Sequence, residues 1–468
     1  SVIKNKDFAS IFIGGFISDM GTFFSIIAII FLAIEKTNQL STRESAQLVA
    51  LITVARIVPT LFFGPVAGVL VDRFDRKKIM ILSDIFSGLT TVGFIFVTEI
   101  SQMFVLAFLG SISTIFFYPA RGASIPKVVE PEQLVQANGL IQTFTQISIL
   151  VGPGIAGLLI KQYGLEIAFI IDSLSFFISA LLLLVIRVDL NPVQNNGKLT
   201  IMKVLSDLKD GLILVKNDKL ISFILILFSV SLIGIGMINP LFAFYLKTEF
   251  GMDERDFGFI LSFSAISGVV TAIFITKKGQ IKNKVRILVI GIYLVGIGML
   301  LVGLAAHFES NNIKFGILDY YLNIPSETLL LYIGMAVIGS VNVVFNVPFS
   351  ALMQAIVKNE DLGKISGFLG TILSLSQTVG ALVATILVLY YEINMIFIVI
   401  ALFLFLVASY FIIDMGKKGI SDIAYQREVE SIKKRREELD KIQETEDLDN
   451  GVIFKESLSD PETVATTP

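Results

Sequence analysis

Few residues in this 468-residue chain can do chemistry. Cysteine is absent and there is a single histidine, His307. Thiolate nucleophiles, disulfides, thiolate metal sites, histidine triads and histidine metal clusters within the chain are therefore excluded. What remains is a sparse set of ionisable side chains set into apolar sequence: Asp19, Arg56, Asp84, Arg121 and Asp172, together with a dense run of charge between Asp72 and Lys78. A charge inside a long apolar segment is costly and reads as functional by default.

Asp19 is the proton-coupling candidate, because a carboxyl in a low-dielectric cleft can take up and release a proton as the cleft opens to either side. A structural anchor, hydrogen-bonded to neighbouring helices, is the competing reading. Eleven residues beyond the first apolar residue, Asp19 lies ~16 Å deep, whereas Arg56, sixteen residues before Asp72, lies ~24 Å from the opposite end of its own helix. The depths differ, so a direct pair is not expected, and Arg56 reads as a structural counter-charge more than as an anion ligand. Asp172 is assigned to packing or to an outer mouth. Neutral amides at helical spacing, Asn342 with Asn346 and Gln142 with Gln146, share helix faces. With Asn239, Gln377, Arg56, and the aromatic Phe23 and Tyr245, they are the central-cavity candidates; interhelical hydrogen bonding is the alternative for each amide.

The elements that must position these residues follow from composition. Hydrophobic residues make up 54% and charged residues 16% of the chain, with a mean hydropathy of +0.79, far from the balance of a soluble domain. Apolar runs of spanning length fall at about 8–34, 45–71, 78–98, 103–125, 133–160, 166–187, 219–246, 255–276, 285–306, 328–356, 364–390 and 392–413. The first run is too long for a signal peptide's apolar region, so no cleavable signal is read. The connections on the side of the termini carry 21 Lys and Arg before the tail, against six in the connections on the other side; the positive-inside rule then places both termini in the cytoplasm of an inner-membrane protein. The fold class expected is all-α, twelve transmembrane helices in two six-helix bundles. The domains are a first bundle over 1–187, a cytoplasmic linker with an amphipathic helix over 188–218, a second bundle over 219–413 and a charged cytoplasmic tail over 414–468, helical in part and then disordered.

The bundles resemble each other, as a duplication requires. Shifting by 228 residues lays "PEQLVQANGLIQTFTQISILVG" (131–152) on "NEDLGKISGFLGTILSLSQTVG" (359–380), matching Gly139 with Gly367, Ser148 with Ser376 and Gly152 with Gly380. Two such halves suggest a carrier that rocks about a central site.

"GVLVDRFDRKKIM", Gly68 to Met80, joins the second and third spans. It resembles the loop signature of the major facilitator superfamily: Gly68, then Asp72 and Arg73, then a basic cluster including Arg76. Asp75 stands where the generic signature has a second glycine. With "YPARGASIPKVVEPEQLVQANGL" and "DSLSFFISALLLL", the chain is similar to the branch containing macrolide-efflux proteins and the enterobactin exporter. Physics gives Asp72 a role apart from that resemblance. At the C-terminal end of its helix an anion is disfavoured by the helix dipole. It needs a partner, which Arg76 can supply locally and which the N-terminus of a helix in the other half, the eleventh span by resemblance, can supply in one conformation. The basic residues are explained equally well by topology alone. Asp72, Arg76, Asp84 and Arg121 are expected to form one inner charge network.

The fifth span carries "VGPGIAGLL", whose Gly152, Pro153, Gly154 and Gly157 allow close helix approach and a bend. This resembles the Gly-Pro motif of exporters in the superfamily, although Ser148 replaces an earlier glycine. The expectation is a secondary active exporter of a hydrophobic or amphipathic small molecule, drug-, macrolide- or siderophore-like. It would work by alternating access and proton antiport as a monomer among membrane lipids. No cofactor, metal or nucleic acid is called for. An uptake or lipid-flipping carrier, for example for lysophospholipid, is the alternative. A receptor or enzyme is disfavoured because no catalytic constellation or soluble domain is visible, and no Walker A loop supports ATP-driven pumping.

Overall fold

In hydrocarbon every backbone amide must be satisfied within its own segment, so apolar runs of this length fold as helices. The computed structural model describes residues 2–191, 201–278, 283–308, 312–317, 320–357, 362–427 and 429–430. Twelve of its helices are long and apolar enough to cross a membrane, among the described residues.

The first six are α1 (Lys6–Lys36), α2 (Thr42–Val71), α3 (Arg76–Gly93), α4 (Ile100–Val128), α5 (Leu134–Tyr163) and α6 (Leu165–Leu184). A short α7 (Ile201–Asn217) leads to α8 (Lys219–Ile238), α9 (Phe242–Phe250), α10 (Glu254–Lys278), α11 (Lys284–Ala305), α12 (Ser326–Ile356), α13 (Leu362–Tyr390) and α14 (Ile393–Lys418). Helix starts are set by local chemistry. The Asn5 side chain accepts from the amides of Asp7 and Phe8, Ser41 and Glu44 form a capping box, and the Asp218 carboxylate accepts from Leu220 and Ile221. Each cap satisfies amides that the helix itself leaves orphaned. Between α5 and α6 the turn is the single residue Gly164, with φ +87°, a conformation that L side chains rarely adopt.

One departure from the expected spans has a plain cause. The run at 219–246 is not one helix: α8 ends at Ile238 and α9 begins at Phe242, because Pro240 lacks an amide to continue the ladder. Between α11 and α12 the chain forms a two-stranded antiparallel hairpin, β1 (Asn312–Ile317) and β2 (Tyr320–Pro325), with Phe315 opposite Leu322. Beyond the left-handed Gly419 that ends α14, a further helical stretch covers residues 420–427, with Ile420 and Ala424 buried. The rest of the amphipathic tail, the linker at 192–200 and the surroundings of Gly367 lie outside what is described.

Helices α1–α6 pack on one another, as do α8–α14, and the two sets meet along α5 with α10 and α2 with α13. The duplication register is visible in packing. Gly152 of α5 lies against Phe23 of α1, and Gly380 of α13 lies against the backbone of Ile233 in α8, the first spanning helix of its own set. Ser148 and Ser376 are both buried, and each returns its hydroxyl to the carbonyl four residues back.

Candidate functional site

The helices alternate in direction, so one end of the bundle carries both ends of the spanning region; the other is called here the far end. At the far end the two sets are tightly joined. A Cβ on Gly157 would lie 2.4 Å from the Glu254 carbonyl oxygen, and one on Gly258 would lie 2.2 Å from that of Pro153. Gly154 faces Ser262. The "VGPGIAGLL" motif therefore makes a close, backbone-to-backbone crossing between the sets. Lys161 Nζ pairs with Asp253 Oδ2 at 2.9 Å, and Arg43 donates to the Leu389 carbonyl at 3.5 Å. Towards the terminal end, Gly68 and Gly139 have nothing within 4 Å of where a Cβ would stand.

Between the sets lies a cavity of about 750 Å³. Of the nine sequence candidates, Arg56, Asn239, Asn342, Asn346 and Gln377 line it, on a wall otherwise supplied by apolar side chains such as Phe228, Phe345 and Met335. Asn346 Nδ2 donates to Asn342 Oδ1 at 3.0 Å, so these two amides act as one polar spot. The other four do not line it. Tyr245 is fully buried and donates to the Val302 carbonyl at 2.8 Å, because the α8–α9 break turns it into the core. Phe23 packs over Gly152. Gln142 and Gln146 are exposed on α5, outside this wall.

The charged residues sort into three groups rather than the single inner network expected. Asp19 takes Arg121 across from α4, Nη1 to Oδ2 at 3.3 Å, and accepts from the Tyr118 hydroxyl at 3.1 Å. The Arg121 guanidinium lies directly over Gly15, where a Cβ would come within 2.6 Å of Cζ. Asp84 is within electrostatic reach of both Arg121 and Asp19. Asp84 Oδ2, Arg121 Nε and Ser179 Oγ are buried without a hydrogen-bond partner, an arrangement that invites water or a proton.

Asp72 and Arg76 form the second group, separated from the first. Asp72 caps the C-terminal end of α2 with its side chain 49% exposed, and Arg76 Nη2 is 3.7 Å from Oδ1. Arg76 is held more firmly elsewhere: Nη1 donates to the Ala123 carbonyl at 2.8 Å. Lys77 Nζ donates to the carbonyls of Leu184 and Ile186 at the end of α6, at 3.0 and 2.8 Å. Asp75 is the N-cap of α3, accepting from the Lys77 amide, which explains an aspartate at that position. The basic residues thus tie α2, α4 and α6 together, a role beyond topology. Arg73 is also engaged.

The third group escaped sequence reasoning. Asp172, 1% exposed, and Arg56 line a second pocket of about 270 Å³ inside the first set of helices, with Thr22, Ser25, Thr90 and Thr91. Arg56 and Thr53 line both this pocket and the central cavity. A partial signal was present: Asp172, like Arg56, is an ionisable residue set inside an apolar span, seven residues into a helix that starts at the far end. Clusters such as "TTVG" and "SIST" supplied the hydroxyls.

Comparisons with known proteins bear on what this arrangement serves. The sequence profile described as Major Facilitator Superfamily matches residues 11–318 and 224–436. The chain belongs to that superfamily. Relatives at low identity include the uncharacterized MFS-type transporter YkuC of Bacillus subtilis, 27% identical over 86% of this chain and 93% of that protein. Macrolide efflux protein A of Streptococcus pyogenes is 26% identical over 77% of this chain and 84% of its own length. The putative bacilysin exporter BacE of Bacillus subtilis is 29% identical over 50% of this chain and 58% of that protein. Among solved structures, the nucleoside transporter NupG superposes with a TM-score of 0.64 at 15% identity, covering 86% of this chain and 99% of NupG. The peptide transporter POT gives 0.66 at 12%, covering 89% and 95%. As a superfamily member the chain is a multi-pass membrane protein of a transporter fold, with small molecules as the class of cargo.

Proposed function

We propose that this superfamily member is a secondary active exporter in an inner membrane, both termini cytoplasmic. It moves a hydrophobic or amphipathic small molecule outward by alternating access. The observation that carries this reading is the cavity of about 750 Å³ between the two helix sets, apolar with a few amides and one guanidinium, beneath a closed far end. An apolar wall with few convergent polar groups suits an amphipathic guest. With termini inside, the arrangement is the inward-facing one, ready to load from the cytoplasm or inner leaflet. Efflux relatives support outward direction.

Proton antiport is assigned to Asp19. A protonated Asp19 releases Arg121, and the buried orphan atoms of Asp84 and Ser179 offer the proton its neighbours. Asp72 is assigned to gating, as a contact made in one state only. The halves are residues 1–187 and 219–413, the protein acting as a monomer without a cofactor.

The test is uptake of a labelled macrolide by inside-out vesicles under an imposed interior-acid gradient. Accumulation that collapses with an uncoupler, and falls at least tenfold in Asp19→Asn, is expected. Flux indifferent to the gradient makes the chain a facilitator instead.

A further inference from the structure

The pocket that holds Asp172 shares Arg56 and Thr53 with the wall of the central cavity, and the two spaces present different chemistry. In the side pocket the hydroxyl hydrogens are already used: Thr91 is directed at Asp172 and Thr53 at the Val49 carbonyl, 3.5 Å away. Thr22, Ser25, Thr90, Ser111 and Thr114 each donate to a carbonyl of their own helix, at 2.8–3.2 Å. Ser113 donates to the Gly110 carbonyl, so in its 2.6 Å contact with Ser87 the donor is Ser87. A hydroxyl whose hydrogen is spent can only accept. The pocket is therefore a wall of acceptor oxygens with one carboxylate, and a ligand entering it must bring donors.

Charge narrows the ligand further. Arg56 makes no hydrogen bond or ion pair among the described residues, and Asp172 is its one charged neighbour in electrostatic reach. Asp172 takes only hydroxyl partners, Ser175 Oγ at 3.5 Å and the Ser25 and Thr91 side chains, and is hemmed in by Gly21, where a Cβ would lie 2.8 Å from Oδ1. The pocket thus holds one positive and one negative group, near each other yet unpaired. A ligand with a net charge would leave one buried ion uncompensated, which is strongly unfavourable. A ligand carrying both charges leaves the balance at zero and brings each group the directly contacting opposite charge that it lacks.

We infer that the side pocket is the subsite for a zwitterionic head group. Its ammonium is received by Asp172 and the acceptor hydroxyls, and its carboxylate, at the mouth, by the Arg56 guanidinium. The apolar remainder of the molecule lies in the central cavity. A space of about 270 Å³ equals roughly nine water volumes at about 30 Å³ each, enough for a head of amino-acid size and too small for the whole molecule. This rests on the exporter reading and specifies its substrate class: amphipaths with an amino-acid-like or peptide-like head.

The experiment uses the purified full chain in detergent. An apolar dipeptide, leucyl-leucine with free termini, is compared with its N-acetyl and its C-amide forms by thermal shift and by competition against macrolide export in vesicles. Binding of the free dipeptide at least tenfold tighter than either blocked form is expected. Arg56→Gln should erase discrimination against the amide alone, and Asp172→Asn discrimination against the acetyl form alone. Equal binding of free and blocked forms to the unmodified protein overturns the inference without any variant having to fold. If no dipeptide binds while macrolide export proceeds, the zwitterion subsite falls and the exporter reading stands. If the dipeptides bind with the stated discrimination and no outward flux of any compound is seen, the exporter reading falls and the subsite stands.

Discussion

Lys161 Nζ lies 2.9 Å from Asp253 Oδ2, and this pair joins α5 to the turn before α10 where the two helix sets are closed. Partial burial works against the Asp253 charge, but the Lys161 ammonium and the amides of Arg255 and Asp256 outweigh it and hold the carboxyl below the usual carboxylate range.

A depressed carboxyl stabilises the paired state above its unpaired value, near 3.9, and that contribution is lost as the pH falls through the still lower paired value. The closure it supports is therefore flat between about pH 5 and 8 and weakens only below about 4. Because the chain has no cysteine, Ser262→Cys, at the far-end crossing beside Gly154, gives a single reporter. Lys161→Ala should raise its maleimide labelling from the far side severalfold, by the same factor at pH 5 and pH 8. A factor that changes between those values contradicts the assignment.

Gly258 permits the approach of α10 to α5, since a Cβ there would sit 2.2 Å from the Pro153 carbonyl oxygen, a backbone atom that cannot step aside. Gly258→Ala should prop the far end open. The expected result is faster labelling of Ser262→Cys and transport reduced at least tenfold, with the protein still folded by size-exclusion profile. Gly68→Ala, in open surroundings on α2, is the control. It should leave labelling at residue 262 unchanged, and equal labelling in both variants would remove the crossing as the determinant.

These contacts show what the sequence could and could not disclose. Spans were legible because a membrane enforces length and apolarity on each segment separately, whereas the break at Pro240 follows from a missing amide that hydropathy does not register. Depth along a helix was legible too, from residue counts. Azimuth was not. Arg121 counted as an inner-end residue, yet its side chain reaches Asp19 across Gly15. Tyr245 had the right depth for the cavity and faces the wrong way. Which face of a helix meets which neighbour is decided by small residues on the partner, so the Arg56–Asp172 pocket depends on Gly21 and on the hydroxyls of three other helices.

Removing one member of a buried ion pair is worse than removing both charges, because it strands the partner. Arg121→Gln should therefore lower thermal stability by about 3–5 kcal/mol, leaving Asp19 and Asp84 without their shared cation. Adding Asp19→Asn to that variant should recover a large part of the loss, measured as melting temperature in one detergent. Additive losses in the double variant would mean that the two residues do not act as a pair.

Asp72 is poorly compensated in the arrangement seen. It caps the C-terminal end of α2, where an anion costs about 0.3–1 kcal/mol. Its cation, Arg76, stands 3.7 Å away and spends its shorter hydrogen bond on the Ala123 carbonyl. A carboxylate left half-exposed at an unfavourable helix end has more to gain from a second partner than to lose. In the proposed cycle that partner arrives when the terminal end closes, at the start of α13. Asp72→Asn should then shift the protein towards the far-closed arrangement, seen as slower labelling of Ser262→Cys. Ligand affinity should be unchanged, since Asp72 does not line the cavity, while turnover falls at least tenfold. If turnover in Asp72→Asn equals that of the unmodified protein, Asp72 has no part in the switch and only the backbone-capping roles of Asp75, Arg76 and Lys77 account for the charged loop.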